Sequence, residues 1–202
     1  DDPRVANLRA RAEEQLTLGA FDAARSLLTE AAEIDATART TIRETYLSRT
    51  LSEAATHTLN ANAAKTDLRY DLAISDLQKA TALYAEVADE MDREAQFSYT
   101  TALTSLGELQ LVAGNTEAAW AAYNERATFA QKRVEADATD VEWVRELVWS
   151  MNDLGSVLQQ QGYLKEAETA YSSALEFSQW QADQRPDDVD LMRDRQVAVN
   201  RV

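Results

Sequence analysis

The chain has 202 residues, of which 45% are hydrophobic, with five glycines, two prolines and no cysteine. Twenty basic against thirty-five acidic side chains give a formal charge of −15, a field that repels phosphate backbones and anionic headgroups and argues against nucleic acid or a membrane as partner. No cysteine means no disulfide and no thiolate metal site, and no apolar run is long enough to span a bilayer; a cytoplasmic place is expected.

Alanine, leucine, glutamate and arginine dominate, all good helix formers, while glycine and proline are too scarce for a turn-rich β protein. The expected class is all-α. The chain starts at Asp1-Asp2 without methionine and stops within a helical pattern, as a piece of a longer protein would. Pro3 suits the first turn of a helix capped by Asp1 or Asp2. Val5, Leu8, Ala12 and Leu16 then form one apolar stripe ending near Leu18, and Gly19 supplies the left-handed stop. A second helix carries Phe21, Ala24, Leu27, Leu28, Ala31 and Ile34, which completes a first helix pair over residues 3–35.

The second pair, over 38–89, is fainter. Ile42, Tyr46, Leu47, Leu51, Ala54, Ala55 and Leu59 keep a helical period, and a turn is expected where Asn60, Asn62 and Thr66 loosen it, although no glycine marks the place. Tyr70 to Val87 supplies the partner helix. Asp89, Glu90 and Asp92 end that helix and start the next, since acidic groups favour helix N-termini. The third pair covers 92–137 and turns at Gly114-Asn115. The fourth covers 140–184, is capped at Thr139-Asp140 and turns at Gln161-Gly162. Arg185-Pro186-Asp187 closes it, and residues 187–202 read as a ninth helix, the first of a further pair.

The third and fourth pairs repeat each other. Gly107, Gly114, Ala119 and Tyr123 recur as Gly155, Gly162, Ala167 and Tyr171, each 48 residues on. Such a period belongs to stacked helix pairs, in which each pair packs only on its neighbours. Gly107 and Gly155 should let the two helices of a pair approach closely, with Tyr123 and Tyr171 filling the space beside them, and Leu106 and Leu154 sealing the layer.

The pairs Leu106-Gly107 and Leu154-Gly155, with Gly19-Ala20-Phe21-Asp22-Ala23-Ala24 and Gly162-Tyr163-Leu164-Lys165-Glu166-Ala167, resemble the tetratricopeptide repeat. The similarity extends over nearly the whole chain and is weakest in the second pair. The period of 48 exceeds that family's usual ~34, and the Trp143-x-Arg145-Glu146-Leu147 lead-in resembles a long-helix form found in large bacterial proteins. The resemblance implies a right-handed α-solenoid of stacked antiparallel helix pairs acting as a protein–protein interaction scaffold. A peptide or partner helix, neutral to basic given the acidic balance, would lie in a concave groove lined by the first helix of each pair. By register that groove is Glu13, Asn62, Thr104, Glu108, Trp149, Asn152, Ser156 and Gln159. Cationic clamps for a C-terminal carboxylate are missing at Thr101, Ser105, Trp149 and Asp153. The alternatives are a sensor or assembly arm of a larger bacterial signalling enzyme, and a self-association module.

Catalysis finds no support in the residues. His57 is the only histidine, serines lack a partner base, and glycines are never clustered into a phosphate loop. Acidic pairs such as Asp89-Glu90 and Asp187-Asp188 sit at helix starts, where capping accounts for them, and no EF-hand spacing is present. No cofactor, metal site or catalytic residue is expected. Of the four tryptophans, Trp120, Trp143 and Trp180 are expected in the core or between pairs, and Trp149 in the groove.

Overall fold

The computed structural model describes residues 2–201, which form eight helices and, among the described residues, no strand. These are α1 (Pro3–Thr17), α2 (Phe21–Thr66), α3 (Tyr70–Glu86), α4 (Arg93–Val112), α5 (Thr116–Ala136), α6 (Val141–Gln160), α7 (Leu164–Gln184) and α8 (Val189–Val199). The chain divides after Thr50 into two compact units. In the first, Val5 and Leu8 of α1 pack on Ala31 of α2, flanked by Leu27 and Ile34. In the second, each helix from α4 to α8 packs on the one before it in sequence.

Two kinds of connection join the helices, each with its own chemistry. Four tight turns follow α1, α2, α4 and α6. In each, the amide two residues past the cap bonds back to the helix: Ala20 to the Gln15 carbonyl, Arg69 to Ala64, Asn115 to Gln110 and Tyr163 to Leu158, at 2.8–2.9 Å. This hydrogen bond needs a left-handed residue just before it. Gly19, Gly114 and Gly162 provide it at φ of 76°, 80° and 84°, and Leu68 does so at 58°. The fourth turn is therefore made without glycine, by a leucine held in a backbone conformation its Cβ opposes.

The other connections start a helix on an aspartate. Asp92, Asp140 and Asp188 cap α4, α6 and α8 by accepting hydrogen bonds from first-turn amides, and they stand 48 residues apart. The sequence suggested a break between 35 and 38, but α2 runs through it. Asp35-Ala36-Thr37 repeats Asp137-Ala138-Thr139, yet Ala38 stands where Asp140 caps the next helix. Thr37 Oγ1 instead donates to the Glu33 carbonyl at 2.9 Å, within the helix. With no cap, glycine or proline to stop it, the helix continues to Thr66, so Val189–Val199 is the eighth helix rather than the ninth.

Within the second unit the close-contact prediction holds. A Cβ added at Gly107 would lie 2.5 Å from Tyr123 Cε1, and one at Gly155 would lie 2.7 Å from Tyr171 Cε1. The tyrosine ring occupies the volume a larger residue would need, and Ala119 and Ala167 are buried beside it. Val157, Ala119 and Tyr123 form one apolar cluster with Leu154 against it, which ties α5 to the next pair.

Polar and aromatic contacts also tie one pair to the next. Arg93 of α4 bridges to Asp140 and Glu142 at the start of α6, both at 2.6 Å, and Arg145 of α6 bridges to Asp194 of α8 at 2.5 Å. Arg133 of α5 donates to the Ala88 carbonyl at 3.0 Å, and Gln181, 48 residues on, donates to the Val141 carbonyl at 2.9 Å. Trp143, buried, stacks on Phe97 at 4.4 Å and meets Phe129 edge-on at 5.8 Å. Trp120, Trp149 and Trp180 are 36%, 46% and 42% exposed. Of the two places expected for Trp120 and Trp180, core or between pairs, the core is excluded: both are part-exposed, Trp120 lining an open cleft with Leu158 and Tyr163 and Trp180 one with Val134 and Val144.

Candidate functional site: the shared face of α2, α4 and α6

The site lies in the second unit, at exposed and half-buried residues of α2, α4 and α6. An open cleft of about 570 Å3 separates Ala55, Thr58 and Leu59 of α2 from Phe97, Ser98 and Thr101 of α4. Farther along the same two helices, Lys65 Nζ meets Glu108 Oε2 at 3.3 Å. The α6 side presents Trp149, with the Arg145 guanidinium 5.3 Å from its ring centre. Arg145 is in turn fixed by Asp194, so the indole is held in place by a cation anchored elsewhere.

Beneath this face is a buried ionic cluster. Arg126 of α5 donates through Nε to Glu146 and through Nη1 to Asp153, both at 2.7 Å. The Arg126 and Glu146 side chains are 5% and 9% exposed, whereas that of Asp153 is 40% exposed. Burial pushes the Asp153 carboxyl above the usual carboxylate value, with Arg126 pulling the other way and the negative charge of Glu108 adding to the rise. The same two acids raise Tyr123, whose hydroxyl is pushed up to about 12, mainly by burial. For Arg126, burial opposes the charge, and the hydrogen bond and charge of Glu146 together with the charge of Asp153 hold it above the ordinary value. Glu108, Asp153 and Arg126 therefore share one electrostatic neighbourhood that links α4, α5 and α6.

The residues named from sequence fall as follows. Asn62 and Glu108 are exposed, Thr104 and Ser156 half-buried, and Gln159 exposed with its Oε1 accepting from the Tyr171 hydroxyl at 3.3 Å. Thr104 Oγ1 donates to the Thr100 carbonyl at 2.8 Å. Asn152 is buried: its Nδ2 donates to the Val148 carbonyl at 3.0 Å, and its Oδ1 has no partner. Glu13 is exposed on α1, in the other unit, and Asn152 is buried, so the face described here keeps the remaining six.

The Arg126 cluster was missed. Its signal is a comparison of the two copies, since Arg126 occupies the place of Ala174, Glu146 that of Ser98 and Asp153 that of Ser105, each 48 residues apart. A charge where the other copy has a small residue marks a built pair. His57, hydrogen-bonded through Nδ1 to Asp76 at 2.8 Å, joins α2 to α3. Among the described residues no group of histidines and carboxylates is arranged to hold a metal ion, and no helix is long and apolar enough to cross a membrane. Chemically, the face offers carboxylates at Glu108 and Asp153, an aromatic plane at Trp149 and hydroxyls at Thr101, Thr104 and Ser156. No family model matches the chain, and no curated protein matches it.

Proposed function

We propose that the chain is a non-catalytic protein–protein interaction scaffold of the tetratricopeptide type, in a long-helix bacterial form. In this reading the pairs wind as a right-handed α-solenoid in the cytoplasm, and α2, α4 and α6 line its groove. The observation that carries it is the open cleft between α2 and α4, continued by Glu108, Trp149 and Asp153. Leu59 of α2, Thr101 and Glu108 of α4 and Trp149 of α6 are exposed, while Tyr99 and Leu103 of α4 and Leu147 and Val157 of α6 are buried in packing. An extended segment bound there would meet a preformed surface, so little ordering cost falls on the protein.

The two carboxylates select for a neutral or basic segment. Asp153 accepts one bond from Arg126 and is still 40% exposed, so it has capacity for a further donor. An aliphatic or aromatic side chain of the partner would lie in the cleft beside Leu59. The test is selection of peptides from a random display library on the full chain, followed by titration of the winners. Basic-apolar winners that lose at least about tenfold in affinity on Trp149→Ala support the reading. Winners that bind Trp149→Ala and Glu108→Lys as tightly as the parent overturn it.

A further inference from the structure

The first unit poses a separate problem. It has about fifty residues in one helix hairpin, and a domain near 60 residues is already marginal in the apolar surface it buries. Its α1–α2 seam buries Val5, Leu8, Ala12, Ala24 and Ala31, mostly small side chains. Leu28, by contrast, is 43% exposed, although the matching places in α3, α5 and α7 hold buried Leu77, Tyr123 and Tyr171. Ile42 is 70% exposed and Tyr46 38%.

These residues form one row. Leu28, Ala32, Asp35, Arg39, Ile42 and Tyr46 follow each other at steps of four, three, four, three and four along α2. That spacing places all six on one narrow side of a helix and is the repeat of a coiled-coil seam. A groove of about 630 Å3 follows the row, bounded on the α1 side by Arg9.

The row is also complementary to itself when reversed. Laid antiparallel on a second copy about a two-fold axis near residue 37, Leu28 meets Tyr46, Ala32 meets Ile42, and Asp35 meets Arg39. Both apolar ends match apolar residues and the central charges have opposite sign. An isologous contact requires such self-matching of one surface patch. A parallel pairing would set Asp35 against Asp35 and Arg39 against Arg39. We infer that the chain forms a two-fold symmetric homodimer through this face of α2, with the two helices antiparallel. Asp35 already accepts from Arg9 at 2.8 Å within the hairpin; a carboxylate has lone pairs for both guanidinium groups. The seam uses none of the residues named on the second unit's face, so substitutions in the two sets test separate claims.

Sedimentation or light scattering of the full chain tests the inference. At roughly 100 μM, where pairs of moderate affinity are populated, the expected mass is twice the 22.5 kDa of one chain. Ile42→Glu weakens self-association at least about tenfold with unchanged circular dichroism, because the side chain it replaces is mostly in water. Asp35→Arg and Arg39→Asp each weaken it by like-charge opposition. Mixed one to one, these two variants restore a dimer that neither forms alone, an outcome that antiparallel pairing requires. A monomeric wild-type chain at that concentration, a dimer indifferent to Ile42→Glu, or a mixture that stays monomeric would each overturn it.

Discussion

Replacing Gly155 with alanine sets two effects of known sign against each other. In a free helix, alanine is better than glycine by roughly 0.5–1 kcal/mol. Here the new methyl would lie 2.7 Å from Tyr171 Cε1 and 2.9 Å from Cδ1 and Cζ, whereas carbon atoms settle at about 3.5–4.0 Å. Either the buried ring or the helix must shift by close to an ångström. Overpacking of that kind costs about 1–3 kcal/mol, so after the helix gain the net change is a destabilisation of up to about 2.5 kcal/mol, or as much as roughly 10 °C in melting temperature for a chain this long. Urea and thermal unfolding followed by circular dichroism measure it. The decisive comparison is the same substitution in a Tyr171→Ala background. There the clash is gone, and Gly155→Ala should stabilise by about 0.5–1 kcal/mol, a coupling of about 1–3 kcal/mol between the two sites. Stabilisation by Gly155→Ala with Tyr171 present, or absence of coupling, would refute close helix approach as the reason for glycine at this place.

Three further outcomes follow from the turns and ion pairs. Leu68→Gly relieves a left-handed leucine worth about 1–2 kcal/mol but adds freedom to the unfolded chain; a net gain of about 0.5–1 kcal/mol is expected in urea unfolding. Arg126→Met leaves Glu146 and Asp153 without their counter-charge and should cost about 3 kcal/mol, while Arg126→Met with Glu146→Leu recovers most of it; calorimetry of the two variants decides. Asp140 is held below its ordinary value of 3.8, first by its hydrogen bond from Arg93. It therefore contributes stability above the unfolded value that is lost as the pH falls through and below it. Asp140→Asn keeps a capping oxygen but not the charge, so its melting temperature should fall less steeply below about pH 4 than that of the parent.

Glycine turns were the most legible part of the sequence, because Gly19, Gly114 and Gly162 sit where only a positive φ closes the turn. The turn at Leu68 carries no such mark, since leucine is a common helix residue and its left-handed backbone is imposed by the helices on either side. The long α2 was hidden by a local likeness: Asp35-Ala36-Thr37 promises a cap, and Ala38 fails to deliver one. The Gly–Tyr contacts were readable because two copies show the same small and large residues at matched places. Arg126 was not, because an arginine on a helix is normally read as solvated, and only its burial against Glu146 and Asp153 shows otherwise. The same reasoning misplaced Asn152, whose register faces the groove while its side chain folds back onto its own helix.

Photo-crosslinking tests the proposed binding face most directly. A library-selected peptide carrying a benzophenone residue would be irradiated on the full chain and its attachment sites read by mass spectrometry. Attachment within Leu59–Asn62 of α2, Thr101–Glu108 of α4 and Trp149–Gln159 of α6 is the expected result. Attachment concentrated instead on exposed residues of α5 and α7, such as Glu117 and Glu168, would contradict it.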